Sequence, residues 1–234
     1  MKIPIFIGYD KRERAATNVL IDSLYQKSSV PLAITPLITE NLTKSGLYFR
    51  KRDPKQSTDF SFTRFLVPYL MNYEGWAIFM DCDMLCQEDI SELWDQRRNN
   101  YSVMCYKHNH VPSEQTKFQG ETQTSYPKKN WSSLMLFNCS KCKCLSVNYV
   151  NTASGLDLHR FNWLEGDHLI GEIKDQWNFL VGVNEFIEDE FKNNKPKMLH
   201  WTLGGPWFKD QVSMGGHLSA KWFKHRDDAM KLWD

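Results

Sequence analysis

Trp76-Ala77-Ile78-Phe79-Met80-Asp81-Cys82-Asp83 is the stretch that decides the fold. Its apolar run is short for a helix and reads as a central buried strand, covered on both faces as in parallel sheets. Two carboxylates follow directly. In a continuing strand Asp81 and Asp83 share one face. Ligands of open α/β sheets bind beyond the carboxyl ends of the strands. Two hard oxygen donors at such a place suit Mg2+ or Mn2+, with a diphosphate completing the shell and its charge offset by the cation. A D-x-D triplet also arises as a plain solvated turn, and from this stretch alone both readings stand.

Working outward, Ile3 to Ile7 is a second short apolar run, ending at Gly8-Tyr9-Asp10. Asp10 and Glu13 have capping-box-like spacing, with Asp in place of Ser or Thr. Ala16, Leu20 and Leu24 then recur at helical spacing, with Val19 and Ile21 beside them. Pro31 to Ile38 is another strand candidate. Strand, helix, strand predicts an α/β domain with a parallel sheet. Ser61 to Met71 reads as a helix packing Phe65, Leu66, Tyr69 and Leu70, kinked or ended early by Pro68. Asp89 to Trp94 reads as a short helix, and Val103–Tyr106 and Ser133–Phe137 as strands. Residues 140 to 174 read mainly as helix and connecting loop. Lys197 to Trp201 reads as a strand that ends at His200. From Lys107 to Asn130 the pattern vanishes in a polar stretch with Pro112, Gly120 and Pro127. So long a loop is either a lid over a site or a surface excursion.

The 234 residues suit one domain with a substantial core. With 41% hydrophobic and 24% charged residues, the composition is globular. The net charge of +1 lacks the basic excess of a nucleic-acid binder, so no nucleic-acid partner is expected. No apolar run reaches transmembrane length, and the N-terminal run is too short for a signal peptide, so a cytoplasmic location is expected. Cys139, Cys142 and Cys144 form a C-x-x-C-x-C cluster without an evident fourth ligand, which reads as reduced thiols near a strand end. The stretch Leu218 to Arg226 mixes basic and aromatic residues. A membrane-surface helix carries that mixture, giving a weak peripheral contact at the inner face of the membrane; so does a terminal helix packing its aromatic face on the domain.

His200 lies in Leu199-His200-Trp201-Thr202-Leu203-Gly204-Gly205-Pro206-Trp207, where a Gly-Gly-Pro turn lets backbone approach a ligand closely. A neutral imidazole is also a common metal ligand. With this block the chain resembles the GT-A fold glycosyltransferases, close to the retaining enzymes of glycosyltransferase family 8, which include lipopolysaccharide-type galactosyl- and glucosyltransferases and the glycogenins. Five blocks match in order. Ile7-Gly8-Tyr9-Asp10 resembles the family's first-strand turn, and Ser61 to Pro68 its S-x-x-R helix. Trp76 to Asp83 resembles the strand ending in D-x-D, Asn130 to Asn138 the N-x-G-x-x-x-F-N block, and Leu199 to Trp207 the H-x-x-G…P-W block.

The resemblance implies an α/β, Rossmann-like nucleotide-binding domain with a mostly parallel central sheet flanked by helices. It implies a single domain over 1–234: a nucleotide-binding half at 1–107, a sugar and acceptor half at 131–210, and a C-terminal extension at 211–234. It implies Asp81, Asp83 and His200 as ligands of Mn2+ or Mg2+. Asp10, with Gly8 and Tyr9, would contact the nucleoside of a UDP-sugar; Arg64 would reach the donor sugar and its phosphate. Cys82 and Gly205 fall within the donor-binding blocks, and Ser132 and Ser133 would line the sugar pocket. The acceptor would be a saccharide or lipid-linked saccharide. Asp167 matches the Asp of the family's Gln-Asp pair beside the donor sugar, and joins Arg64 as a catalytic candidate. Gly166 stands where the Gln would be, so no nucleophile is assigned. Gly205 stands where relatives often carry a Lys, and Lys209 is the basic residue that could compensate. Two other readings compete. One is a nucleotidyltransferase-like enzyme, which would usually bring a glycine-rich N-terminal loop. The other is a degenerate nucleotide- or glycan-binding module, motivated by the missing Gln and Lys.

Overall fold

The computed structural model describes residues 2–53, 56–108, 128–184 and 195–231. β1 (Ile3–Gly8) buries Ile3, Ile5 and Ile7 completely, and Phe6 nearly so, because sheet neighbours and helices cover both of its faces. It pairs in parallel with β2 (Leu32–Leu37) on one side and β3 (Trp76–Met80) on the other. α1 (Arg14–Lys27) makes the crossover from β1 to β2. Its inward side is Ala16, Val19, Leu20 and Leu24. The sheet continues with β6 (Leu134–Asn138), β5 (Val103–Cys105) and β7 (Ile170–Glu172), in the order β2-β1-β3-β6-β5-β7. β6 runs antiparallel to both its neighbours, while β5 and β7 are parallel. Five strands therefore share one direction and β6 opposes them: the mostly parallel α/β sheet expected.

A second, three-stranded sheet was not anticipated. It is built from β4 (Met84–Cys86), β8 (Phe179–Leu180) and β9 (Met198–His200), in the order β4-β9-β8. β4 begins only four residues after β3 ends, so the chain turns from one sheet into the other at Asp81-Cys82-Asp83. Shorter helices flank the sheets: α2 (Thr39–Lys44), α3 (Val67–Leu70), α4 (Ile90–Trp94), α5 (Val147–Thr152) and α6 (Gly155–His159). Asp89 caps α4, its side chain accepting from the Ser91 backbone N–H.

Two expectations are corrected. Ser61 to Met71 is not one helix: a 3₁₀ turn at Thr63–Leu66 passes into α3, whose first turn accommodates Pro68 because a proline there forfeits no helical hydrogen bond. Phe65, Leu66 and Val67 are buried, whereas Tyr69 is exposed. Residues 140 to 174 contain β7 as well as helix and loop. Most of the 107–130 stretch, 109–127, lies outside the described residues, and with it the lid reading. Cys139 and Cys142 are buried, Cys144 is exposed, and all six cysteines are free thiols.

A separate apolar cluster joins the small sheet to the C-terminal helix α7 (His217–Ala229), through Val19, Leu85, Val181, Leu199, Trp201, Leu218 and Trp222. The indole of Trp222 lies 5.4 Å from that of Trp207. The aromatic side of the C-terminal stretch is thus packed on the domain, with Lys221 and Lys224 exposed. Among the described residues no helix is long and apolar enough to cross a membrane. Trp222→Ala is expected to lower stability by about 3–5 kcal/mol, the range for emptying a fully buried aromatic site. A denaturant midpoint close to that of the wild type would show instead that α7 is dispensable to the core.

Candidate metal centre and donor site

The D-x-D triplet is held at both ends by backbone. The Asp81 N–H donates to the Ser133 carbonyl at 2.9 Å, extending the β3–β6 pairing by one residue. The Asp83 carbonyl accepts from the Trp201 N–H at 2.9 Å, extending the β4–β9 pairing in which Met84 faces His200. Asp81 therefore ends the large sheet and Asp83 starts the small one, with His200 beside it. The ligating atoms of Asp81, Asp83 and His200 all lie within 4.8 Å of one another. His200 Nε2 is 3.3 Å from Asp83 Oδ1, with the imidazole 1% exposed and the carboxylate side chain 12%.

Those two atoms have no hydrogen-bond partner among the described residues. Buried polar atoms without partners are costly, and a neutral imidazole lone pair repels a carboxylate oxygen. A divalent cation shared by the three side chains removes both penalties. One nitrogen and two carboxylate oxygens form a donor set suited to Mn2+ and tolerable to Mg2+. The residues present fit the implied ion.

Arg64 braces the other carboxylate. Its Nη1 lies 2.8 Å from Asp81 Oδ1 and donates to the Ser132 carbonyl at 2.8 Å, while Nε donates to the Ser61 carbonyl at 3.1 Å. The guanidinium sits 5.2 Å from the centre of the Phe60 ring and 5.0 Å from that of Phe79, an arrangement that suits a planar cation. Phe60 in turn leans over Gly8, where a Cβ would fall 2.2 Å from its ring. Gly8 thus serves the site by letting Phe60, and through it Arg64, approach the sheet.

Behind the triplet lies Glu13, 6% exposed, which the sequence offered only as a capping residue. Cys82, fully buried, points away from the two aspartates and donates its thiol to Glu13 at 3.3 Å. Burial first, and the Asp83 charge second, push the Glu13 carboxyl up from 4.5 to about 8. Burial and Glu13 likewise push the Cys82 thiol well above its ordinary value. Cys82 can offer a ligand only its backbone.

Asp10 is fully buried and accepts from the Arg12 backbone N–H at 2.9 Å, Arg12 Nη2 at 2.7 Å and the Asp59 N–H at 3.1 Å. Burial would raise its carboxyl, but these hydrogen bonds hold it below the usual carboxylate range. It ties the segment around Asp59 to the end of β1, beside half-buried Tyr9. Ser132 Oγ lies 2.8 Å from His159 Nδ1. Ser133 donates its hydroxyl to the Asn130 carbonyl at 2.6 Å and accepts from Asn178 at 2.8 Å. Asp167 is 72% exposed and paired with Lys128 at 2.6 Å. At Gly205 a Cβ would fall 2.2 Å from the Trp207 ring, which explains physically why no lysine stands there. Asn178, fully buried against both Ser133 and His200, had no signal in the sequence.

With that geometry in hand, comparison with known proteins gives consistent results. The model of the family described as glycosyl transferase family 8 matches residues 5–154. "Protein CDI" of Arabidopsis thaliana is 50% identical over 206 residues, covering 87% of this chain and 79% of that protein. Among solved structures, the apo bifunctional glycosyltransferase WbbM superposes with a TM-score of 0.64 at 15% identity, over 96% of this chain and 49% of that one, so this chain spans about half its length. The galactosyltransferase LgtC, solved with donor and acceptor sugar analogues, superposes with a TM-score of 0.59 at 8% identity, over 99% of this chain and 98% of that one. At such identities the two structures speak for a shared fold, that of the GT-A glycosyltransferases.

The Glu13 environment carries a test. A carboxyl raised in the folded state stabilises the protein fully below the unfolded value, and that contribution is lost as pH rises through the folded one. Metal-free protein is therefore expected to lose stability between pH 4.5 and about 8, and Glu13→Gln to flatten that slope. Thermal unfolding across the range reads both. An unchanged slope in the variant would mean that Glu13 ionises normally.

Proposed function

The chain belongs to glycosyl transferase family 8 and is a glycosyltransferase, and from that premise we propose that it is a metal-dependent, retaining enzyme. It moves galactose or glucose from a UDP-sugar to a hydroxyl of a glycan or lipid-linked saccharide. The observation that carries the reading is the buried Asp83–His200 pair, whose facing atoms have no hydrogen-bond partner among the described residues, next to an Asp81 already braced by an arginine. Asp81, Asp83 and His200 are the residues that would hold Mn2+ or Mg2+. Such an ion supplies charge neutralisation to a departing diphosphate.

The chain's own residues supply the rest. Arg64 keeps Asp81 from rotating and adds positive charge on the side of the donor phosphate. Gly8, Tyr9 and Asp10 form the turn after β1 that would receive the nucleoside. Ser132 and Ser133, with the backbone at Cys82 and Gly205, border the donor. No residue is assigned as nucleophile, because Gly166 has no side chain to serve. Front-face attack, in which the leaving phosphate accepts the acceptor proton, requires positioning and electrostatics and little more. Asp167, exposed and paired with Lys128, is kept as a catalytic candidate on the family resemblance.

A thermal-shift series tests the reading. A nucleotide that binds only the native state adds about 2.7 kcal/mol at one hundred times its Kd. UDP and UDP-hexoses are expected to raise the melting temperature only when Mn2+ is present. Asp83→Ala and His200→Ala are expected to abolish that shift while still unfolding cooperatively. Tight Mn2+-dependent UDP binding by both variants would overturn the ligand assignment.

A further inference from the structure

The geometry points to Asn178 as the positioning residue of this metal centre: its side-chain amide, polarised by Ser133, fixes His200 in the tautomer that leaves Nε2 free to ligate. The inference rests on the reading of Asp81, Asp83 and His200 as metal ligands and extends it to residues outside that set.

At the head of the relay is a group that can only accept. The Asn130 carbonyl lies 2.6 Å from Ser133 Oγ, so the single hydroxyl hydrogen of Ser133 is committed to it. Asn130 can aim its carbonyl there because it adopts the left-handed conformation, φ 63°, at the entry to the 3₁₀ turn Trp131–Ser133; asparagine tolerates that region better than most residues. With its hydrogen used, Ser133 Oγ can only accept from Asn178, 2.8 Å away. The Asn178 atom facing Ser133 must then be the amide nitrogen. The opposite atom, Oδ1, is left facing His200 Nδ1 at 2.8 Å. An amide oxygen only accepts, so Nδ1 must carry the hydrogen. Nε2, 3.3 Å from Asp83 Oδ1, is left with its lone pair toward the candidate centre. An amide flip would set Asn178 Oδ1 against Ser133 Oγ, whose only hydrogen is already given to the Asn130 carbonyl, leaving two acceptors face to face; the backbone carbonyl at the head of the relay forbids it.

Burial makes the relay strict. Asn178 is 0% exposed, His200 1% and Ser133 4%, so water cannot replace a missing partner. The strand register adds to this. Asn178 immediately precedes β8, whose Leu180 pairs with His200 of β9, so the amide and the imidazole are set by one ladder. Partners of this kind orient ligating histidines in metal sites generally, and their loss typically weakens metal binding by about 10- to 100-fold.

The test uses the full chain. Nitrogen-15 spectra of the histidine rings in metal-free wild-type protein, at a pH well above the imidazole range, should show His200 Nδ1 protonated and Nε2 bare. Mn2+ binding, followed by electron paramagnetic resonance, should weaken by about 10- to 100-fold in Asn178→Leu. It should persist in Asn178→Asp, whose carboxylate still accepts from Nδ1–H. Thermal unfolding of each variant identifies any that fail to fold; the wild-type spectrum needs no variant at all. A bare Nδ1 in the wild type, or equal Mn2+ affinities for wild type and a folded Asn178→Leu, overturns the inference alone. His200→Ala separates it from the parent reading: undiminished Mn2+ binding there overturns the metal assignment and this inference with it.

Discussion

Two carboxylates two residues apart, converging at the corner between two sheets and largely out of water, are the constraint around which this structure is arranged. Asp81 and Asp83 repel each other, and Glu13 adds a third carboxyl behind them. Inside a protein such repulsion is screened far less than in solvent. Each acid has a different answer. Asp81 has the Arg64 guanidinium at 2.8 Å. Glu13 rises out of the ordinary carboxylate range and takes the Cys82 thiol as donor. Asp83 faces a histidine nitrogen at 3.3 Å with no hydrogen-bond partner for either atom among the described residues, an arrangement that a cation would complete.

The fold delivers these groups from far apart in sequence. The triplet is the corner at which the chain leaves the six-stranded sheet for the three-stranded one, so one backbone segment belongs to both. β6 running against its neighbours brings Ser132 and Ser133 alongside Asp81. β9 pairing with β4 brings His200 alongside Asp83. Phe60 over Gly8 seats Arg64. α7 closes the small sheet from behind through Trp222 and Leu218.

Much of this was legible because long apolar runs and helical spacing are strong signals. Trp76–Met80 is a strand with the bounds expected, and Ala16, Val19, Leu20 and Leu24 line the buried side of α1 as their spacing predicts. Asp81, Asp83 and His200 were singled out from the strand end and the resemblance, and the fold brings them together. The small sheet was hidden: β4 and β8 have three and two residues, too few to show alternation, and β7 of the large sheet, also three residues, was missed for the same reason. Tyr69 leaves the expected packed side because the 3₁₀ turn Thr63–Leu66 gives way to a new helix at Val67, with Pro68 in its first turn, so the helical spacing from Phe65 does not carry through. Glu13 showed only its capping spacing and Asn178 nothing at all, since a polar residue buried by tertiary contact resembles any surface polar residue in sequence. Gly205 became intelligible only with the Trp207 ring in view.

The central claim is that Asp81, Asp83 and His200 jointly hold a divalent cation through which a nucleoside diphosphate is bound. A crystal structure with Mn2+ and UDP, using the anomalous signal of manganese to place the ion, tests it most directly. The account predicts one ion touching a carboxylate oxygen of each aspartate, Nε2 of His200 and the diphosphate. Manganese at any other place, or UDP seated with the Asp83–His200 pair left as a bare contact, would contradict it.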